Sequence, residues 1–401
     1  MLCVLCVYSV LSAVKYDYTL QLQPDKMIEM KGKETVFIDG SRLITESLVR
    51  AGADVFIGYP ITPANLVYAY SERRFPTFFA APDEITTLQW MSGFAITGHL
   101  PVTATSFPGY ALMIESINMA YMMELPMVIV LIQRLGPATG TATCGAQGDL
   151  NVIYGTLSGG FPLPCIAVSS MQDCWDLPPK ALQMAVDLRS PVVLLTSKEE
   201  VMTYKSFDMA HLAEVTPVKR LVYSGKEPYM PYAPMENLVP EFLPVSENKH
   251  QVRYTASTHD KTGIIQNTTP DALANSTRLG KKISENLDNY LYYDYDRQED
   301  ARTLLITYGI TTQAAMDAVK AYRSEGMKAS LLVMKTLSPV SRKYFDICSR
   351  YDRIVIAEEN LDGELRRIMF GQAENSHITG VNKIGQMIEP GEILKALENH
   401  E

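Results

Sequence analysis

The sequence predicts an α/β protein with two parallel-sheet domains joined by an irregular connector. Three observations carry that reading. Short apolar runs alternate with segments of helical periodicity, first over 35–223 and again from Thr303 onward. Most of the apolar runs end in proline, glycine or hydroxyl-bearing turns, as strands do when they deliver loops to one sheet edge. Between the two stretches the rhythm fails: 224–298 is proline- and tyrosine-rich (Pro228, Tyr229, Pro231, Tyr232, Pro234), then polar and irregular. Its aromatic content is too high for a free coil, so a connector wrapped on a surface is expected. The expected division is an N-terminal extension (1–34), a first α/β domain (35–223), the connector (224–298) and a smaller α/β domain (299–401).

The elements follow in order. Ser41 to Val49 reads as a helix with Leu43, Ile44, Leu48 and Val49 on its apolar face and Gly52 as its stop. Asp54 to Gly58 is a strand, and Tyr59-Pro60-Ile61-Thr62-Pro63 makes a stiff loop at its carboxyl end. Thr77 to Ala81 is the next strand, and Pro82-Asp83-Glu84 opens the helix behind it. Val102 to Ser106 is a strand, and Phe107-Pro108-Gly109 turns into a helix reaching about Met123. Met127 to Ile132 is a buried strand followed by Gln133-Arg134-Leu135-Gly136-Pro137, and Pro191 to Leu195 is the last of this series. The strand ends near Gly58, Ala81, Ser106 and Ile132 are expected to converge on one crevice. In the connector, Lys281 to Asn289 reads as a short helix. The second domain is expected to hold strands at Thr303–Tyr308, Ala329–Met334 and Arg353–Ala357, with helices near 311–324, 340–349 and 361–370.

Composition excludes several classes. A net charge of −9 with no basic block argues against a nucleic-acid surface. Six scattered cysteines in 401 residues fit a reducing, cytoplasmic setting better than a disulfide scaffold. Cys3 and Cys6 form a lone C-x-x-C, too few ligands for a zinc site or a cluster. The apolar run Leu2–Val14 is too short to span a bilayer and lacks a basic leader, so no membrane role is expected. The methionines at 113, 119, 122, 123 and 127 read as adaptable core or contact filling. No G-x-G-x-x-G follows a strand, no P-loop occurs, and no histidine pair suggests a metal site.

Three residues are candidates for chemistry, each with an alternative. Asp83 and Glu84 would both suit the first turn of a helix behind Pro82, yet Glu84 could instead face the crevice and bond a ligand nitrogen. Burial would raise its pKa and the helix N-terminus would lower it. Thr62 either satisfies its own turn or donates to a substrate oxygen. Arg134, just past six apolar strand residues, either pairs with a carboxylate such as Glu124 or Asp149 or clamps an anionic ligand.

An ordered set of motifs runs through these elements: Gly58-Tyr59-Pro60-Ile61-Thr62-Pro63, Asp83-Glu84-Ile85, Thr103-Ala104-Thr105-Ser106-x-Pro108-Gly109, Leu112-Met113-Ile114-Glu115, Glu124-Leu125-Pro126 and Gln133-Arg134-x-Gly136-Pro137-x-Thr139-Gly140. Gln147-x-Asp149-Leu150 and Ile356-Ala357-Glu358-Glu359-Asn360 follow. Over about residues 35–400 the set resembles the alpha subunit of the 2-oxoacid:ferredoxin oxidoreductases, in particular the 2-oxoglutarate type. That resemblance implies a pyrimidine-type thiamine diphosphate-binding domain followed by a transketolase-C-terminal-like domain. It implies that a beta subunit holds Mg2+, the diphosphate and a [4Fe-4S] cluster, with gamma and delta subunits as further partners. Ferredoxin, coenzyme A and a 2-oxoacid would be the reactants.

By the same resemblance Glu84 bonds N1′ of the aminopyrimidine, while Thr62 and Arg134 meet the substrate's carboxylate. Tyr59, Pro60, Ile61, Ser106, Pro108 and Gly109 line the cofactor. The chain departs from the family pattern at Phe107, where a glycine is common, at Ala138, at Ser158-Gly159-Gly160 and at Glu364. These departures leave branched-chain or aryl 2-oxoacids as alternative substrates, and a non-catalytic scaffolding paralogue as an alternative role.

Overall fold

The computed structural model describes residues 35–245 and 249–399. The Cys3–Cys6 spacing and the Leu2–Val14 run lie outside the described residues. In chain order the first α/β stretch comprises β1 (Thr35–Ile38), α1 (Gly40–Arg50), β2 (Val55–Gly58), α2 (Asn65–Arg74), β3 (Thr77–Ala80), α3 (Glu84–Ile96), β4 (Pro101–Thr105), α4 (Phe107–Met122), β5 (Met127–Gln133), α5 (Leu150–Gly155), β6 (Cys165–Ala167), α6 (Asp173–Leu188), β7 (Pro191–Ser197), α7 (Lys198–Met202) and β8 (Lys205–Asp208). After the irregular segment come α8 (Pro270–Asn286), β9 (Tyr293–Asp296), β10 (Thr303–Thr307), α9 (Thr312–Ser324), β11 (Ala329–Met334), β12 (Thr336–Ser338), α10 (Arg342–Cys348), β13 (Arg353–Glu358), α11 (Glu364–Phe370), β14 (Ile378–Asn382) and α12 (Pro390–Glu398).

A seven-stranded sheet runs in the order β12-β6-β7-β5-β4-β2-β3. All its neighbours are parallel except β12, which pairs antiparallel with β6. β5 and β7 are buried along their whole length, as expected for parallel strands covered by helices on both faces. The second sheet, β14-β13-β10-β11-β9, is parallel apart from its edge strand β9. Both expected parallel sheets are therefore present. Local signals account for the helix ends: Asp39 caps α1 by accepting from the Arg42 amide, and Gly52 beyond it takes φ +100. Of the methionine group, Met113 and Met127 are buried in the core, and Met122 and Met123 are partly buried against it.

The structure departs from the expected elements where short or long-range features decide. β6 is three residues long, too short for any periodicity. β12 leaves the second domain's sequence and completes the first sheet, with Thr336 opposite Ile166. α6, which the sequence reading did not place, continues through Pro178 and Pro179. The connector helix spans Pro270–Asn286 rather than Lys281–Asn289, because Thr269 caps it and Pro270 occupies its first turn. Tyr293–Asp296, within the expected connector, pairs with β11.

Candidate active site at the strand ends

β3, β2, β4 and β5 are consecutive parallel strands, so their carboxyl ends lie along one edge of the sheet. The loop after β2 holds Tyr59, 40% exposed, an exposed Pro60, and Ile61 packed against the core. The Thr62–Pro63 peptide is cis. Thr62 is engaged through its carbonyl: Arg134 Nη1, from the end of β5, donates to it, and so does Ser106 Oγ, from the end of β4, at 3.4 Å. Its hydroxyl makes no hydrogen bond among the described residues, so the turn does not consume it. Ser106 stands at the N-cap of α4 without capping it, since its hydroxyl is turned to Thr62. Three residues from three strand ends thus meet at one carbonyl.

Asp83 takes the helix-capping role, and Glu84 occupies the first turn of α3. Asp83 is the N-cap of α3 and accepts from the Thr86 amide at 2.7 Å. Glu84 is 6% exposed, and its carboxylate lies against the first turn of α4. A Cβ at Gly109 would stand 2.6 Å from Glu84 Oε1 and would also collide with Thr105 Oγ1. Gly109 is therefore the residue that lets the carboxylate lie flat on the turn, beside a half-buried Pro108. No cation pairs with Glu84 among the described residues. Burial lifts its pKa above the usual carboxylate range, against its own backbone amide and with a small push from Asp83. Between the two opposed effects on Glu84, burial wins.

Arg134 is 6% exposed and its Nε has no partner. Burial lowers its pKa, and the nearby charge of Asp149 opposes that. It forms an ion pair with neither carboxylate proposed as a structural partner. Glu124 is taken by Arg278 and by Lys282 Nζ at 2.6 Å. Asp149, 3% exposed, sits at the N-cap of α5 without capping it, and its Oδ2 is unpartnered. Burial, then the Glu364 charge, push Asp149 up to about 7, with Arg134 pulling the other way. Beyond Arg134 the chain turns back on itself, with Leu135 bridged to Thr141 and Gly140 at φ +45, where a Cβ would overlap the Leu135 carbonyl.

Sequence reasoning assigned no role to Gln147 or to Glu358-Glu359-Asn360, and the structure joins them. Gln147 Nε2 donates to the Tyr308 carbonyl at 2.7 Å, and its Oε1 accepts from Thr311 Oγ1 at 2.6 Å and the Glu359 amide at 2.7 Å. Its carbonyl accepts from Asn360 Nδ2 at 3.0 Å. Glu358 is spent within the second domain on Asn360 and the amides of Leu365 and Arg366. Glu364, one of the departures from the family pattern, accepts from the Asn151 amide at 2.9 Å. The only signal for this clasp was that both motifs are polar runs at strand or loop ends.

Among the described residues no group of three or more His, Cys, Asp or Glu could hold a metal ion. No described helix is long and apolar enough to cross a membrane. Residues 46–278 match the family described as pyruvate flavodoxin/ferredoxin oxidoreductase, thiamine diphosphate-binding, and residues 292–363 match the transketolase C-terminal domain. The 2-oxoglutarate synthase subunit KorA of Methanothermobacter thermautotrophicus is 29% identical over 91% of this chain and 98% of its own length. The ketoisovalerate oxidoreductase subunit VorB of the same organism is 27% identical, covering 90% and 97%. Among solved structures, the 2-oxoglutarate:ferredoxin oxidoreductase from Magnetococcus marinus with 2-oxoglutarate, coenzyme A and succinyl-CoA bound superposes with TM-score 0.85 at 26% identity, over 91% of this chain. This chain spans 65% of that one. With the first match covering more than half of its length, the chain belongs to the thiamine diphosphate-binding pyruvate flavodoxin/ferredoxin oxidoreductase family.

Proposed function

We propose that this chain is the alpha subunit of a thiamine diphosphate-dependent 2-oxoacid:ferredoxin oxidoreductase, converting 2-oxoglutarate to an acyl-CoA and CO2 with reduction of ferredoxin. The observation that carries the reading is Glu84: a buried carboxylate with no cation partner, held at the crevice against a glycine that a side chain would displace. That environment suits a carboxyl group that bonds a ring nitrogen of an aminopyrimidine, and Tyr59, Pro60, Ile61, Ser106, Pro108 and Gly109 would line the same ring. The cofactor supplies the electron sink for loss of CO2. Glu84 holds a proton or releases it at the ring nitrogen, in a site whose burial keeps its pKa high. Arg134 offers its guanidinium, which pairs with no carboxylate among the described residues, to the substrate carboxylate, and Thr62 offers its free hydroxyl to the same group.

The remaining chemistry needs other chains. We assign Mg2+, the diphosphate and a [4Fe-4S] cluster to a beta subunit, with gamma and delta subunits completing the assembly. The described cysteines, Cys144, Cys165, Cys174 and Cys348, are free thiols, which supports a cytoplasmic setting. Co-purification with the beta subunit, followed by viologen-dye reduction across a panel of 2-oxoacids with coenzyme A, tests the assignment. Turnover with 2-oxoglutarate is expected. Preference for branched 2-oxoacids would move the chain toward the ketoisovalerate enzymes, a reading favoured by its similarity to VorB. Dye reduction by none of the 2-oxoacids would leave a scaffolding paralogue.

A further inference from the structure

Asp149 is a buried acid that the fold leaves without a bond. It is 3% exposed, its Oδ2 is unpartnered, and no hydrogen bond or ion pair holds its carboxyl group among the described residues. Its place in the chain explains why. An aspartate at an N-cap ordinarily has extended backbone and accepts from an amide of the first turn. Asp149 stands at the N-cap of α5 with φ −113 and ψ 2, and its side chain caps nothing. Glu364, at the start of α11, takes that role from the second domain: its Oε2 accepts from the Asn151 amide at 2.9 Å. Two carboxyl groups meet one helix start, and Asp149 is the one left over.

The groups that face Asp149 come from several elements. Arg134, just past β5, is the cation whose field reaches it, and no carboxylate among the described residues pairs with that arginine. Glu364 on α11 is the nearby anion. Glu358, at the end of β13, stands behind Glu364 and is spent on Asn360 and the amides of Leu365 and Arg366. Tyr110 of α4 and Tyr308 past β10 also feel the Asp149 charge, and burial holds both phenols above their ordinary range. The Cys165 thiol of β6, which faces those two rings, is pushed up by burial as well. Near neutrality the titrating groups here are therefore the two carboxyls. Burial, then Glu364, push Asp149 up to about 7, and Arg134 pulls the other way.

We propose that Asp149 is a positioning residue for the candidate site: by holding or releasing a proton beside Arg134 it sets how much of the arginine's charge is left for the substrate carboxylate, a role that rests on the proposed function. With its proton, Asp149 is neutral, and Arg134 faces the substrate as an uncompensated cation. Without the proton, Asp149 competes for the same guanidinium and repels the incoming anion. The substrate's own carboxylate is ionised throughout this range, so the sign follows: affinity for the 2-oxoacid falls as pH rises through neutrality.

The test is the pH dependence of KM for 2-oxoglutarate, read by viologen reduction in the complex assembled with the beta subunit. Between about pH 6 and about pH 8 the KM of the natural complex should rise by roughly tenfold, the effect of one charge gained nearby. Asp149→Asn keeps the shape and cannot ionise, so its KM should stay level, near the value of the natural complex at about pH 6. Glu364→Gln removes the anion that opposes ionisation of Asp149, so the rise should move to lower pH. Glu84 titrates in every variant and cancels from the comparison. A merely structural role would change KM or kcat alike at every pH. Difference infrared spectra of the full-length chain give a second readout: the un-ionised carboxyl band that fades through neutrality should be weaker by one group in Asp149→Asn. Four results would overturn the proposal: a natural KM that ignores pH, a rise that persists in Asp149→Asn, a rise that Glu364→Gln leaves in place, or an infrared band that Asp149→Asn leaves intact. Turnover of no 2-oxoacid at all would instead bring down the proposed function, and this role with it.

Discussion

Gly109→Ala isolates the geometry on which the proposed chemistry depends. The new Cβ would fall 2.6 Å from Glu84 Oε1, whereas ordinary contact begins near 3.4 Å, so the carboxylate must retreat by roughly 0.8 Å. The same Cβ would stand closer still to Thr105 Oγ1, so two neighbours must give way at once. A misplacement approaching 1 Å at a reacting group costs on the order of a hundredfold in rate. Overpacking of this kind costs about 1–3 kcal/mol of stability. The assay is viologen reduction by the assembled complex, with urea unfolding of the isolated chain beside it. Gly93→Ala is the control: it lies in the same helix as Glu84 with nothing within 4 Å of its Cβ position. It should gain up to about 1 kcal/mol from helix propensity and leave turnover unchanged. If Gly109→Ala turns over within about threefold of the natural chain, Gly109 does not protect a catalytic position of Glu84.

Further expectations follow from the same distances. Glu84→Gln keeps shape and removes a buried ionisable group, so its melting temperature should not fall, while turnover should drop more than about a hundredfold; near-normal dye reduction would remove Glu84 from the proton-holding role. Gln147→Ala deletes three buried side-chain hydrogen bonds across the two domains and should cost about 2–4 kcal/mol in urea unfolding, and a loss below roughly 0.5 kcal/mol would mean the clasp is replaced by water. Glu364 is pushed up to about 7 by burial, from an ordinary value of 4.5. Between those values the folded chain holds a proton that the unfolded chain has lost, so stability from this group falls as pH rises. The melting temperature of Glu364→Gln should therefore gain on the natural chain between pH 5 and pH 8, and a pH-independent difference would refute the burial effect.

What could be read from the sequence and what could not divide along physical lines. Parallel strands buried on both faces are continuous apolar runs, and their ends are marked by residues that cannot be core, so Thr62, Glu84 and Arg134 stood out one by one, whereas Ser106 came only with the family resemblance. Their convergence followed from strand order alone. The helix start at Pro270 was missed although Thr269 and Pro270 are start signals, because the polar character of the segment masked it. By contrast β12 joins a sheet whose other strands lie far away in sequence, and three residues carry no period. Nor could the sequence show that Glu124, one of the two carboxylates weighed as a structural partner for Arg134, is taken by Arg278 and Lys282, more than 150 residues away.

The clasp changes how the Arg134 region should be understood. An arginine at a strand end is only as well placed as the loop that follows it. Here that loop is held from the second domain: Cys144 Sγ reaches the Gly385 carbonyl at 3.6 Å, and Leu135 packs within 3.8 Å of the Cβ position of Gly385. Two residues before Asp149, the Gln147 amide donates to the Glu359 carbonyl at 2.8 Å. Asp149 is the carboxylate whose charge Arg134 feels, and Glu364 of the second domain in turn raises the pKa of Asp149. Protonating or removing Glu364 would then favour the ionised form of Asp149, which under the proposed function would compete with a substrate carboxylate for Arg134. The second domain thus acts on the candidate site through position and through charge, and loosening the clasp should raise KM for the 2-oxoacid more than it lowers kcat.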